Sequence, residues 1–210
     1  MRTLKIAVLA SGGGTNLQAL IDAQAAGKIN GTIELVISNR KNAYALERAR
    51  LANIACEHIS AKSFPDPIDY DKALLSRLKA HQIDLIVLAG YLKILSPVLI
   101  QAYQHKIINI HPSLLPAFGG DGFYGIHVHN AVYQSGAKVS GATVHFVTEG
   151  VDAGPIILQK AIPLEQNWQA TDIQAAVLKI EHPLLVEAVS LFCDNRLEIK
   201  ENRVYIQGEL

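Results

Sequence analysis

Asn109 and His111 stand two residues apart in the stretch Ile107-Ile108-Asn109-Ile110-His111-Pro112. In an extended segment this alternation puts both polar side chains on one face. Pro112 restricts His111 to extended backbone, so the strand direction persists through the histidine and sets where its ring points. A side-chain amide and an imidazolium both donate hydrogen bonds. Two such donors converging are what the oxyanion of a tetrahedral acyl intermediate needs. For this His111 has to be protonated near neutral pH, and a neighbouring carboxylate would raise its pKa. Asp152, in Glu149-Gly150-Val151-Asp152-Ala153-Gly154-Pro155, is the candidate acid. The same residue also fits simple turn support, and the sequence alone does not bring it to His111.

A second feature is Ser11-Gly12-Gly13-Gly14-Thr15-Asn16-Leu17, which joins an apolar run to a helical pattern. Glycines let the backbone approach a ligand and adopt positive φ. Thr15 or Asn16 can cap the helix that follows. Exposed N–H groups and the helix dipole together make an anion site, although a tight strand-to-helix turn explains the same residues. A P-loop needs Lys-Ser or Lys-Thr after its last glycine, and Thr-Asn stands here. A dinucleotide fingerprint needs a small residue at position 17 and an acid closing the second strand. Leu17 and the segment Ser38-Asn39-Arg40-Lys41 meet neither condition. A phosphate monoester is the better match.

No nucleophile presents itself. Ser113 lacks a GxSxG elbow, and Cys56 and Cys193 read as buried thiols in a reducing compartment. Direct transfer between two bound substrates follows. His127 and His129 make a poor metal pair on a helix, no HExxH or CxxC occurs, and no metal is expected.

The elements that must position these groups are legible from periodicity. Strands are expected at 4–10, 32–38, 55–60, 83–90 and 106–110, separated by helices at 16–28, 43–53 and 68–82. This is the pattern of βαβ units in a parallel, Rossmann-like sheet. The second half differs. A glycine-rich loop at 118–126 leads into a helix, and strands at 138–148 and 154–164 alternate as an antiparallel pair. The helical stretch 171–195 contains Pro183, which should kink or interrupt it. A terminal hairpin turns at Glu201-Asn202. The fold class is α/β, a parallel sheet extended by antiparallel strands in the C-terminal half. One domain is expected, with a phosphate-binding half at 1–105 and a catalytic half at 106–210. The loop at 118–126 reads as a surface excursion in preference to a lid.

Of 210 residues half are apolar, and 19 basic residues balance 19 acidic ones. A sizeable core is available. Neutral balance disfavours nucleic acid or a membrane surface as partner. The apolar run after the basic N-terminus is too short for a signal peptide, and nothing approaches the ~20 apolar residues of a membrane span. A cytoplasmic protein is expected, as monomer or homodimer.

Six stretches occur in order: SGGGTNLQ, SNRKNAYALERA, VLAGYLKILSP, NIHPSLLPAF, GATVHFVTEGVDAGPIILQ and EHPLL. Together they resemble the phosphoribosylglycinamide formyltransferases, folate-dependent enzymes of de novo purine synthesis. The resemblance covers nearly the whole chain. It implies 10-formyltetrahydrofolate as formyl donor, glycinamide ribonucleotide as acceptor, and Asn109, His111 and Asp152 as the catalytic residues. It further implies that Gly13, Gly14, Thr15 and Asn16 bind the substrate phosphate and that Glu181 contacts the ribonucleotide. Leu88, Leu92, Lys93, Ile94 and Leu95, Asn109, and the Thr148, Glu149, Gly150 and Val151 backbone match the folate pocket. An arginine that contacts folate in some members falls near Pro67 here. Formyltetrahydrofolate deformylase and methionyl-tRNA formyltransferase share parts of the pattern. A binding protein without activity is the alternative of a different class, although simple binding needs no Asn-His-Asp set.

Overall fold

The computed structural model describes residues 2–208, and the chain separates into two compact units between Ile108 and Asn109. The first unit contains β1 (Leu4–Leu9), α1 (Thr15–Ala25), β2 (Gly31–Ser38), α2 (Tyr44–Leu51), β3 (Ala55–His58), α3 (Pro67–Ala80), β4 (Leu85–Leu88) and α4 (Pro97–Ala102). β5 (Ile107–His111) starts in this unit. Its strands lie in the order β3-β2-β1-β4-β5. β1 pairs in parallel with β2 and β4, and β2 with β3. Residues 6–9 of β1 and all of β4 are buried, as strands covered on both faces should be.

Side chains of α3 hold the segment that follows β4. Asp66 caps α3 by accepting from the Ile68 N–H at 2.8 Å, and Pro67 takes the first helical position. One turn on, the Tyr70 and Tyr91 hydroxyls share a hydrogen bond of 2.5 Å. The Asp71 carboxylate accepts from the Ser96 N–H. Residues 91–96 are therefore tied at both ends to one buried helix face. Helix α4, a short turn opened by Pro97, has no counterpart in the periodicity because six residues are too few to register.

The second unit contains the carboxyl end of β5, then α5 (Ile126–Ser135), β6 (Val139–Phe146), β7 (Ile156–Pro163), α6 (Ala170–Cys193), β8 (Leu197–Lys200) and β9 (Arg203–Ile206). Here the order is β5-β6-β7, with β6 and β7 antiparallel, and β8–β9 form a separate hairpin. The fold is α/β, a mostly parallel sheet extended by antiparallel strands. The hairpin turns at Glu201, whose φ is 57°.

Three expectations are corrected. Pro183 does not interrupt α6, which runs through 24 residues. Its Leu184, Leu185, Ala188 and Val189 are buried, and α6 packs on β6, β7 and α5. That burial offsets the one backbone bond that proline removes. The first turn of α6 is secured by a capping box between Gln169 and Asp172. Neither Thr15 nor Asn16 caps α1. The helix starts one residue earlier, Gly14 takes the N-cap position at φ 71°, and no side chain bonds there. Cys56 and Cys193 are free but only half-buried, one on the outer strand β3 and the other ending α6.

Close strand packing makes one glycine necessary. A Cβ on Gly141 would lie 2.1 Å from the Lys160 carbonyl oxygen on β7 and 2.6 Å from a Leu114 methyl. Gly141→Ala is expected to lower stability by ~1–3 kcal/mol, read as a lower urea midpoint with an unchanged m-value. An unchanged midpoint would contradict this packing.

Candidate active site

β5 delivers Asn109 and His111: Asn109 meets His145, and His111 meets Asp152, which itself lies beside His145. Beyond His111 the chain is clamped by a polar network. The Ser113 hydroxyl donates to the Ala117 carbonyl at 2.7 Å. Thr143 on β6 donates to the Ser113 carbonyl at 2.6 Å and accepts from the Leu115 N–H at 3.1 Å. Gln159 on β7 donates to the Leu115 carbonyl at 2.9 Å. Ser113 is fully buried and committed to this network, so it is no nucleophile.

Asp152 comes to the same place from the β6–β7 turn. Its φ of 52° is left-handed, a conformation that aspartate tolerates better than most residues. Gly154 sets the turn. A Cβ there would lie 1.8 Å from the Phe146 carbonyl oxygen, so only glycine lets β7 begin so close to the end of β6. Asp152 Oδ2 lies 3.4 Å from His111 Nδ1, and Oδ1 lies 3.6 Å from His145 Nε2. The Gly120 N–H donates to Oδ2 at 3.0 Å. His111 is 4% exposed and the Asp152 side chain 11%. The distance that the sequence left open is thus a buried contact between an acid and an imidazole.

His145 is the residue that sequence reasoning missed. Its Nδ1 faces the Phe146 carbonyl at 2.9 Å, which puts the ring proton on Nδ1. Nε2 then accepts from the Asn109 side-chain amide at 3.1 Å. One Asn109 N–H is thereby anchored, the amide plane is set, and the second N–H is left to donate elsewhere. The signal was present in β6, where an unexplained histidine interrupts Ala142-Thr143-Val144-His145-Phe146.

Electrostatics correct one expectation. Burial lowers the His111 pKa and outweighs the upward pull of the Asp152 carboxylate and the Phe118 carbonyl, while His145 adds a further lowering. Burial thus works against a permanent charge on His111 in the resting protein. Yet both of its nitrogens face acceptors, Asp152 at Nδ1 and the Phe118 carbonyl at Nε2, 2.8 Å away. A neutral ring satisfies only one of them, whereas a protonated ring satisfies both. Burial likewise pushes the Asp152 carboxyl upward, but the His111 ring and the Gly120 N–H hold it below the ordinary carboxylate value. The pair is an anion beside a ring with a place for a second proton.

The start of the 118–126 loop is part of this site, contrary to its reading as a surface excursion. Phe118, at φ 52°, and Gly120 bind the two catalytic candidates directly. A Cβ on Gly119 would meet Leu115 at 2.4 Å. Residues 121 and 122 beyond it are exposed.

In the first unit the glycine loop is open where a ligand would lie. A Cβ on Gly12 or Gly13 would meet no atom within 4 Å, whereas one on Gly14 would lie 2.8 Å from Ala45. The Ser11 hydroxyl donates to Asn39 at 2.6 Å and accepts from the Leu92 N–H at 2.9 Å, binding the loop to the ends of β2 and β4. Of the proposed folate residues, Leu88 and Leu95 are core, while Leu92 and Ile94 are 41% and 64% exposed. Lys93 is exposed, as are Glu149, Gly150 and Val151, and Thr148 is half-buried. Glu181 is buried on α6.

Residues 4–189 match the Formyl transferase family. The chain belongs to that family. Within it, the chain is 40% identical over 206 residues to the phosphoribosylglycinamide formyltransferase of Escherichia coli (strain K12), covering 98% of this chain and 95% of that protein. It is similar to the crystal structure of glycinamide ribonucleotide transformylase 1 from Symbiobacterium toebii, with a TM-score of 0.93 and 44% identity. That match covers 97% of this chain and 94% of the other. A formyltetrahydrofolate deformylase from Pseudomonas syringae shares the fold at TM-score 0.88 with 26% identity, over 98% of this chain and 66% of that one.

One further histidine, on α5, lies within electrostatic reach of His111. His129 is buried, its Nδ1 makes no hydrogen bond among the described residues, and burial followed by repulsion from His111 lowers its pKa from 6.5 to about 4. The folded protein thus binds this proton less readily than the unfolded chain. Stability is complete above pH 6.5 and falls as pH drops toward about 4. This one group should remove on the order of 2 kcal/mol by pH 5. His129→Phe is expected to shrink the difference in stability between pH 7 and pH 5 by that amount in urea melts. Identical pH dependence in the two proteins would refute it.

Proposed function

We propose that this protein transfers the formyl group of 10-formyltetrahydrofolate to the amine of N1-(5-phospho-D-ribosyl)glycinamide, in de novo purine synthesis. The observation that carries this reading is the buried contact of Asp152 with His111, beside an Asn109 amide held by His145, in a chain of the Formyl transferase family. The greater identity to glycinamide ribonucleotide transformylases than to the deformylase supports an amine over water as acceptor.

In this mechanism the formyl oxygen takes the position of the Phe118 carbonyl at His111 Nε2 and accepts from the free Asn109 N–H. The amine lone pair attacks the formyl carbon, and the carbonyl electrons move to oxygen. The developing oxyanion raises the proton affinity of His111, which burial had lowered. The attacking nitrogen gives up its proton to His111, through a water held by Asp152. Protonated His111 then bonds the oxyanion with Nε2 and Asp152 with Nδ1. As the oxyanion collapses the carbon–N10 bond breaks, and His111 passes that proton on to N10 through the same water, returning to its neutral form. Asp152 stays ionised throughout, as its lowered pKa favours.

Gly13, Gly14, Thr15 and Asn16 bind the substrate phosphate in this reading, and the open space beside Gly12 and Gly13 supports it. The exposed apolar side chains Leu92 and Ile94 suit contact with a flat ring, while Leu88 and Leu95 are buried. Lys93, Asn109 and the Thr148–Val151 backbone complete the folate contacts, and Glu181 contacts the ribonucleotide. No helix among the described residues is long and apolar enough to cross a membrane. The protein is proposed to work in the cytoplasm with small-molecule substrates, as monomer or homodimer.

His111→Ala and Asp152→Asn are each expected to lower kcat by ~10²–10³ in a protein that still folds. Near-normal turnover by Asp152→Asn across pH 6 to 9 would sink the role given to the acid. The acceptor is tested by following formyl loss from formylfolate with and without the ribonucleotide. Loss that needs the ribonucleotide supports the transferase, loss without it a hydrolase, and no loss a binding protein.

A further inference from the structure

The glycine loop carries no cationic side chain, yet a phosphate monoester is strongly anionic. What the loop offers is backbone, and the direction of each peptide decides whether a carbonyl or an N–H faces the ligand. A trans peptide points its C=O and its N–H in opposite directions. The three loop carbonyls are all occupied. Gly12 O accepts from the Ala45 N–H at 3.1 Å, Gly13 O from Arg48 Nε at 2.8 Å, and Gly14 O from the Gln18 N–H at 2.9 Å. With the carbonyls turned into α1 and α2, the N–H groups of the same peptides point the other way. Successive N–H groups directed to one side form an anion-binding concavity.

Two of those three bonds are backbone bonds of helices and persist in any folded variant. The third depends on one side chain. Arg48 Nη1 also donates to Gln18 Oε1 at 2.9 Å, and its guanidinium lies 5.0 Å from the centre of the Tyr44 ring. The planar fork is thus fixed on three sides, on a helix whose Ala45 already touches the loop. Arg48 is the donor seen on the Gly13 carbonyl among the described residues, and glycines on both sides of a peptide make it easy to rotate once that bond is lost. A rotated peptide presents a carbonyl to the phosphate.

We propose that Arg48 is a positioning residue for the phosphate of the ribonucleotide: it holds the Gly13 carbonyl away so that the loop presents N–H groups, and places a positive charge behind them. This inference rests on the phosphate-loop reading above. It is tested by comparing kcat/KM for the ribonucleotide and for its phosphate-free riboside in the parent, Arg48→Met and Arg48→Lys. Losing a charge-assisted bond corresponds to ~10-fold or more in affinity. Arg48→Met is therefore expected to raise KM for the ribonucleotide by about tenfold and to cut the preference for the phosphorylated substrate by a similar factor. The KM for formylfolate should not move. Arg48→Lys, which keeps the charge but not the fork, should fall between. A parent that prefers the ribonucleotide and an Arg48→Met that retains the whole preference would overturn the role of Arg48 alone. If Arg48→Met does not fold, full preference in Arg48→Lys with the Gly13 contact broken in its crystal structure does the same. A parent with no preference for the phosphate would overturn the loop reading, and this inference with it.

Discussion

One buried carboxylate organises the second unit. Asp152 keeps its charge in a largely dry place because the His111 ring and a backbone N–H contact it, with the His145 ring alongside. Burying a lone carboxylate is expensive, and that expense falls only when partners are supplied on several sides. The β6–β7 turn, the first residues of the glycine-rich loop and the end of β5 all meet at this anion. Gly154 permits the turn, the left-handed φ of Asp152 aims the side chain, and Gly120 contributes its N–H. Each is a local concession that makes sense only with the charge in place.

The same carboxylate explains how a histidine of lowered pKa can serve chemistry that needs a proton. His111 is poised between burial, which expels the second proton, and two acceptors, which would welcome it. A small change in local charge moves such a group across its balance point. A permanently charged imidazolium would pair with Asp152 and lose contrast between ground state and transition state. A neutral one that gains its proton as an oxyanion forms binds the transition state more tightly than the substrate, and this difference is what accelerates a reaction.

In the first unit the governing constraint is backbone hydrogen bonding. Three glycine-loop carbonyls have three partners, two from helix backbones and one from an arginine. The helices α1 and α2 therefore do more than cover the sheet, since their first turns decide which way the loop peptides face. The Ser11 hydroxyl extends this control to Asn39 and to the Leu92 N–H.

The sequence by itself determined the order of strands and helices, because alternation and helical spacing are local and repeat along the chain. It also determined that Asn109 and His111 share a face, since period two and Pro112 need no tertiary contact. Asp152 was legible as a candidate through its glycine-rich turn and the family resemblance. Only the tertiary structure brought it to His111, 3.4 Å away. It alone showed His145 as the residue that orients Asn109, and Arg48 as the one that turns Gly13. Their partners lie 36 and 35 positions away, and no local pattern encodes such pairings. It alone showed burial lowering the His111 pKa, because burial depends on everything packed around a ring and on nothing adjacent in the chain. It also carried α6 through Pro183, where the apolar face of the helix outweighs a rule derived from backbone geometry alone.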